Sequence, residues 1–74
     1  MKIRSEQLKC LRDGFPRGCR VELVLMDDPQ APPIGTLGTV IGVDDVGTIH
    51  VNWDNGSVLG VAFGADDCRR IDND

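Results

Sequence analysis

The run GTLGTVIGVDDVGTIHVNWDNG, residues 35–56, carries the clearest structural pattern in the chain. It reads as a β-hairpin followed by a turn into a further strand. Thr48 to Trp53 alternates strictly: Ile49, Val51 and Trp53 lie on one face, and Thr48, His50 and Asn52 on the other. That is the period-two signature of a half-buried strand. Asp44, Asp45, Val46 and Gly47 form the preceding turn, in which Gly47 is free to take positive φ. Asp54-Asn55-Gly56 is a strong hairpin signal. Gly35, Gly38 and Gly42 interrupt the first strand of the hairpin. Glycine inside a strand marks a bulge or a sharp bend. Gly38 and Gly42 are therefore expected where the strand bends to close a small barrel, and a valine at position 42 is expected to clash.

Upstream, Val21, Leu23 and Leu25 alternate with Arg20, Glu22 and Val24, which predicts a strand opened by Gly18 with the first set facing the core. It ends before Asp27-Asp28-Pro29-Gln30-Ala31-Pro32-Pro33, where the prolines exclude regular pairing and predict a stiff, exposed loop. Further upstream, Leu8, Leu11 and Phe15 fall at helical spacing and predict a short helix over residues 5–13. Ser5 is its expected cap, Glu6 suits its first turn, Gly14 its C-terminus, and Pro16 forbids continuation. So short a helix must dock on the rest of the chain, through Leu8 and Leu11. Downstream, Val58 to Val61 predicts a fourth strand, Ala65-Asp66-Asp67 a tight turn, and Cys68 to Ile71 a closing strand with Ile71 facing inward. Asp72-Asn73-Asp74 is expected to fray. The expected fold class is mainly β, a single SH3-like five-stranded barrel over about residues 18–71 with one short N-terminal α-helix.

Seventy-four residues make one domain with a small core. Trp53, Phe15 and Phe63 are the only aromatic residues. No apolar run is long enough to span a bilayer and no apolar signal core opens the chain, so the cytoplasm is the expected location and no membrane partner is expected. Cys10, Cys19 and Cys68 are odd in number and far apart, which predicts reduced thiols rather than a disulfide or zinc scaffold. The net charge is −4 and unevenly spread. Lys2, Arg4, Lys9, Arg12, Arg17 and Arg20 lie at the start, and Arg69 and Arg70 near the end. Between them stand only acids: Glu22, Asp27, Asp28, Asp44, Asp45, Asp54, Asp66 and Asp67. An acidic barrel repels phosphate and disfavours nucleic acid.

A family resemblance covers about residues 8–71. It is carried by Phe15-Pro16 with Gly18, Arg20, Val21 and Leu23; by Met26 with Asp28-Pro29; by Gly35-Thr36 with Gly38-Thr39-Val40; and by the string from Val43 to Gly60 that contains DD-x-GTIHV-x-WDNGS. In these positions the chain resembles a family of small proteins of bacteria, their phages and plasmids, grouped as a domain of unknown function. After Gly60 it departs: the family usually continues L-x-P-G-x-D, and here Val61-Ala62-Phe63-Gly64-Ala65-Asp66 follows. More distantly, the skeleton is similar to the SH3-like repeats of mind-bomb-type ubiquitin ligases, which bind peptides. The resemblance implies an SH3-like barrel and no assigned activity.

Trp53 shares its face with aliphatic residues, which favours packing over an exposed aromatic platform. His50 lies on the opposite face. With Cys19 or Cys68 it would supply the parts of a Cys-His pair, but no spacing supports one, and no catalytic residues are expected. The doublets Asp27-Asp28, Asp44-Asp45 and Asp66-Asp67 are of the type that bind Ca²⁺ or Mg²⁺, yet none sits in an EF-hand pattern and turns favour aspartate for local hydrogen bonds. No metal and no cofactor is expected. Pro29 to Pro32 matches P-x-x-P without a flanking arginine, and loop stiffness accounts for it. The expected function is that of a binding module. Asp27, Asp28, Pro29, Asp44, Asp45 and His50 would form an acidic loop surface for a basic peptide or protein partner. The alternative is a nucleic-acid accessory acting through the basic segment 1–20.

Overall fold

A computed structural model describes residues 2–71. Helix α1 spans Ser5–Gly14, and strands β1 to β4 span Arg20–Leu25, Leu37–Val43, Ile49–Trp53 and Asp67–Ile71. The strands form one antiparallel sheet in the order β3-β2-β1-β4. The class is mainly β, as the sequence predicts. Among the described residues the sheet has four strands instead of five, with β3 and β4 at its edges and no ladder between those two to close it into a barrel. No helix among the described residues is long and apolar enough to cross a membrane. The expected fraying of Asp72-Asn73-Asp74 lies outside the described residues.

The helix begins at Ser5 as expected, but its cap lies one residue earlier. Arg4 is the N-cap, and its N–H donates to Gln7 Oε1 (3.0 Å). At the other end Phe15, not Gly14, is the C-cap, and its N–H donates to Leu11 O (3.0 Å). No residue of α1 is fully buried. Leu11 and Phe15 pack against the core, and Phe15 takes the docking role expected of Leu8.

One face of the sheet carries the core. Val21, Leu23, Val40, Ile49, Val51 and Trp53 come from β1, β2 and β3, with Cys68 from β4 and Met26 and Val61 from the connections. Trp53 is 3% exposed. Across the ladder Val21 faces Gly38, Gly38 faces Trp53, and Val40 faces Val51. Gly38 is required by contact: a Cβ there would lie 2.5 Å from Val51 Cγ1 and 2.8 Å from Trp53 Cε3. Gly42 is not. A Cβ at that position meets nothing within 4 Å, so the clash expected there is absent. The bend in β2 comes from a bulge between Val40 and Gly42, which leaves Ile41 as the extra residue and returns Val43 to the core side opposite Ile49.

A second bulge explains two further departures. The β1–β4 register shifts between Leu23, opposite Cys68, and Leu25, opposite Asp67. Val24 is the extra residue, and Leu25 turns outward to 55% exposure instead of facing the core. In the same register Ile71 stands opposite Arg20 and Arg70 opposite Val21. Directly opposed residues share a face, so Cys68 fills the inward position expected of Ile71.

The expected strand over 58–61 is reduced to a single bridge between Ile49 and Val61. Trp53 is the reason. Its indole N–H donates to Leu59 O (2.8 Å), while its backbone N–H donates to Ser57 O (2.8 Å). A side chain thus captures a carbonyl that a continued ladder would use. The turn before β4 forms over residues 63–65, earlier than expected, with Gly64 at φ +82°. The proline loop is less exposed than its composition predicts: Pro32 is buried and Ala31 packs on the core.

Replacing Trp53 by alanine is expected to cost about 3–5 kcal/mol, the range for deleting a large buried aromatic, measured by chemical denaturation followed by circular dichroism. The two strand glycines are expected to behave oppositely. Gly38→Ala forces a contact with Trp53 and loses about 1–3 kcal/mol, whereas Gly42→Ala leaves the melting temperature unchanged or raises it.

Candidate interaction surface

The basic and acidic halves of the sequence meet inside the folded chain. Arg20 projects from the outer face of β1 and grips Asp54 with both guanidinium nitrogens: Nη1 donates to Oδ1 (2.9 Å) and Nη2 to Oδ2 (2.5 Å). Nη1 also donates to Thr39 Oγ1 (2.8 Å). The hydrogen bonds from Arg20 hold the Asp54 carboxyl below its ordinary range. Arg69 Nε donates to Glu22 Oε1 (2.7 Å) across the β1–β4 pair. Arg12, in the last turn of α1, reaches the β2–β3 turn, where Nη2 donates to Asp45 Oδ1 (2.7 Å) and Nε to Val43 O (3.4 Å). The members of these three pairs are all at least partly exposed to solvent, where ion pairs add little to stability. Their effect is on charge placement, since they occupy carboxylates that would otherwise face a partner.

Asp44 is built into its turn. Oδ1 accepts the N–H groups of Val46 (3.1 Å) and Thr48 (2.9 Å), and Oδ2 lies 2.9 Å from His50 Nε2. The His50 hydrogen bond, followed by those from the Thr48 and Val46 backbone, lowers the Asp44 pKa below 3.8. Gly47, at φ +85°, completes the reversal as expected from the sequence.

The structure therefore joins some of the expected site residues and separates others. Asp44 and His50 are bonded to each other, and Asp45 is bonded to the helix. Asp27, Asp28 and Pro29 follow the C-terminal end of β1. Because β1 and β2 are antiparallel, that is the end where β2 begins, whereas Asp44 and Asp45 follow the end where β2 finishes. The strand between these anchor points covers roughly 20 Å. The two doublets are therefore anchored at opposite ends of β2. Asp28 Oδ1 accepts the Gln30 N–H (2.8 Å). Asp27 and Asp67 take part in no ion pair among the described residues. The ladder sets Asp67 opposite Leu25, two residues ahead of Asp27. The acidic doublet that accompanies Asp27-Asp28 is thus Asp66-Asp67.

His50 and Cys68 lie on opposite faces of the sheet, His50 exposed opposite Gly42 and Cys68 buried opposite Leu23. Burial, with a smaller contribution from Asp67, pushes the Cys68 thiol up to about 12. Cys19 is also raised by burial. Among the described residues, no three of His, Cys, Asp and Glu gather as metal ligands.

A cleft of about 260 Å³ opens between α1 and the segment leading into β4, bordered by Leu11, Phe15, Ile49, Val61, Phe63 and, at its rim, Asp66 and Asp67. Sequence reasoning missed it. The Asp66-Asp67 doublet and Phe63 are visible in the chain, but only the return of residues 57–66 along β3 brings them to the helix.

The pH dependence of Asp44 has a definite sign. Its folded pKa is depressed, so its contribution to stability is present above the ordinary carboxylate value and is lost as pH falls through the lower folded value. Asp44→Asn is expected to lower the melting temperature at about pH 7 and to flatten the loss of stability as pH falls from there through and below the ordinary carboxylate value, relative to the parent. Thermal melts across that range check both.

No curated protein and no solved structure matches the chain significantly. The string from Val43 to Gly60 and the glycines and aspartates of its turns lie within a sequence pattern that extends over residues 4–71, and by that match the chain belongs to DUF4314, a domain of unknown function.

Proposed function

We propose that the chain is a small SH3-like binding module that takes a basic peptide, or a basic segment of a protein, at the end of the sheet carrying Asp27, Asp28 and Asp67. One observation carries this reading. The in-chain basic groups engage Glu22, Asp44, Asp45 and Asp54, but no ion pair among the described residues reaches Asp27, Asp28 or Asp67. Glu6 and Asp13 stand on α1, and among the described residues of the sheet and its loops the uncompensated carboxylates thus gather around the end of β1 and the start of β4. Complementary charge there would speed association and select the partner. Leu25 and Ile34 are exposed beside these loops and add apolar contact area. The strong bulges in β1 and β2, and the short return along β3, support an SH3-like curvature of the sheet. The three free cysteines support a reducing compartment, the cytoplasm.

A phosphate-binding role for residues 1–20 has weaker support, because Arg12 and Arg20 are occupied by Asp45 and Asp54. Fluorescence anisotropy with labelled oligolysine and a labelled single-stranded oligonucleotide separates the two. Oligolysine is expected to bind and to be released by salt. Replacing Asp27, Asp28 and Asp67 together by asparagine is expected to weaken it about tenfold, equivalent to roughly 1.4 kcal/mol. Binding of the oligonucleotide in preference to oligolysine overturns the reading.

A further inference from the structure

The cleft between α1 and the segment before β4 combines two features that a peptide site needs. Its walls are apolar: Leu11 and Phe15 stand on the helix side, Val61 and Phe63 on the other, above Ile49. Its rim is acidic, formed by Asp66 and Asp67, and none of the residues bordering it is basic. Asp66 Oδ2 accepts the Ala62 N–H (3.0 Å), which holds this carboxylate in place at the rim. Asp67 enters no ion pair among the described residues.

Size narrows the occupant. The volume of about 260 Å³ lies below the usual range for drug-sized ligands and cofactors, roughly 300–1,000 Å³. It equals the share of fewer than about ten waters at roughly 30 Å³ each. One large side chain fits such a space. The helix wall is also adaptable, because no residue of α1 is fully buried and Leu11 and Phe15 are only partly so.

We infer that this cleft receives a single large apolar side chain of a linear peptide, with Asp66 and Asp67 engaging a lysine or arginine next to it. The inference rests on the basic-partner reading and adds an anchor to it. Charge alone would give affinity without register. An apolar residue seated between Phe15 and Phe63 fixes which basic residue meets the rim. The register pair Leu25–Asp67 then leads the rest of a basic peptide toward Asp27 and Asp28.

The test is a selection from a random dodecapeptide display library on the immobilised full chain, followed by titration of the best synthetic peptide into ¹⁵N-labelled protein. Enriched sequences are expected to place Leu, Ile, Met, Phe or Trp within two positions of Lys or Arg. The amides of Leu11, Phe15 and residues 61–68 are expected to shift. Ala62→Leu, which partly fills the cleft, is expected to weaken the peptide at least about tenfold, the scale of losing one buried anchor. Asp67→Asn is expected to weaken it less and to reduce its salt dependence. If Ala62→Leu does not fold, an alanine in place of the peptide's apolar residue makes the same measurement on the parent protein. Basic peptides that lack an apolar residue, or that bind equally after either change, overturn the cleft and leave the basic-partner reading standing. Enrichment of non-basic sequences, or of none, overturns both.

Discussion

The packing of the core depends on the close approach of one backbone to an indole and a valine. Gly38 lies directly across the ladder from Trp53, and the space a Cβ would need is held by Trp53 and Val51. This lets the largest side chain of a chain poor in aromatics pack close against β2. From there it works in two directions. Inward it joins Val21, Leu23 and Val40 in the core. Outward its indole N–H holds Leu59 and its backbone holds Ser57, which sets the return segment alongside β3. The bridge from Ile49 to Val61 follows, and with it one wall of the cleft against α1. A small domain has few such anchors and a narrow stability margin, so one aromatic decides both the packing and the position of a surface feature.

Charge is organised by a similar economy. Arg12, Arg20 and Arg69 each find a carboxylate on another element, and His50 finds Asp44. None of these exposed pairs is a strong source of stability. Together they remove Glu22, Asp44, Asp45 and Asp54 from the list of groups offered to a partner. Of the remaining described acids, Asp27, Asp28, Asp66 and Asp67 stand around the start of β4 and the loop after β1, and Glu6 and Asp13 stand on α1. Acidic turns spread evenly through the sequence thus divide, in the fold, into those held by in-chain cations and those without an ion pair among the described residues.

The parts of this protein that depend on neighbouring residues were legible in the sequence. The alternation from Ile49 to Trp53, the Asp44 to Gly47 turn, the burial of Trp53 and the helix ending ahead of Pro16 all follow from local periodicity and turn chemistry, which a one-dimensional pattern records directly. What the sequence did not show are choices made between distant segments. Nothing near Leu25 announces the bulge that turns it outward, because the bulge is a property of its register with β4. Gly38 and Gly42 look alike in the chain; only the neighbours that packing brings, Trp53 and Val51 for one and open space for the other, separate them. The same holds for the surface. Three aspartate doublets are equivalent by composition, and tertiary structure alone sends Asp44 to His50 and Asp45 to Arg12, and sets Asp67 beside the strand that leads to Asp27. Local residues determine which elements form, because backbone conformation answers to near neighbours; pairing register and long-range contact determine which charges remain for a partner, because those depend on segments that meet only once the chain has folded.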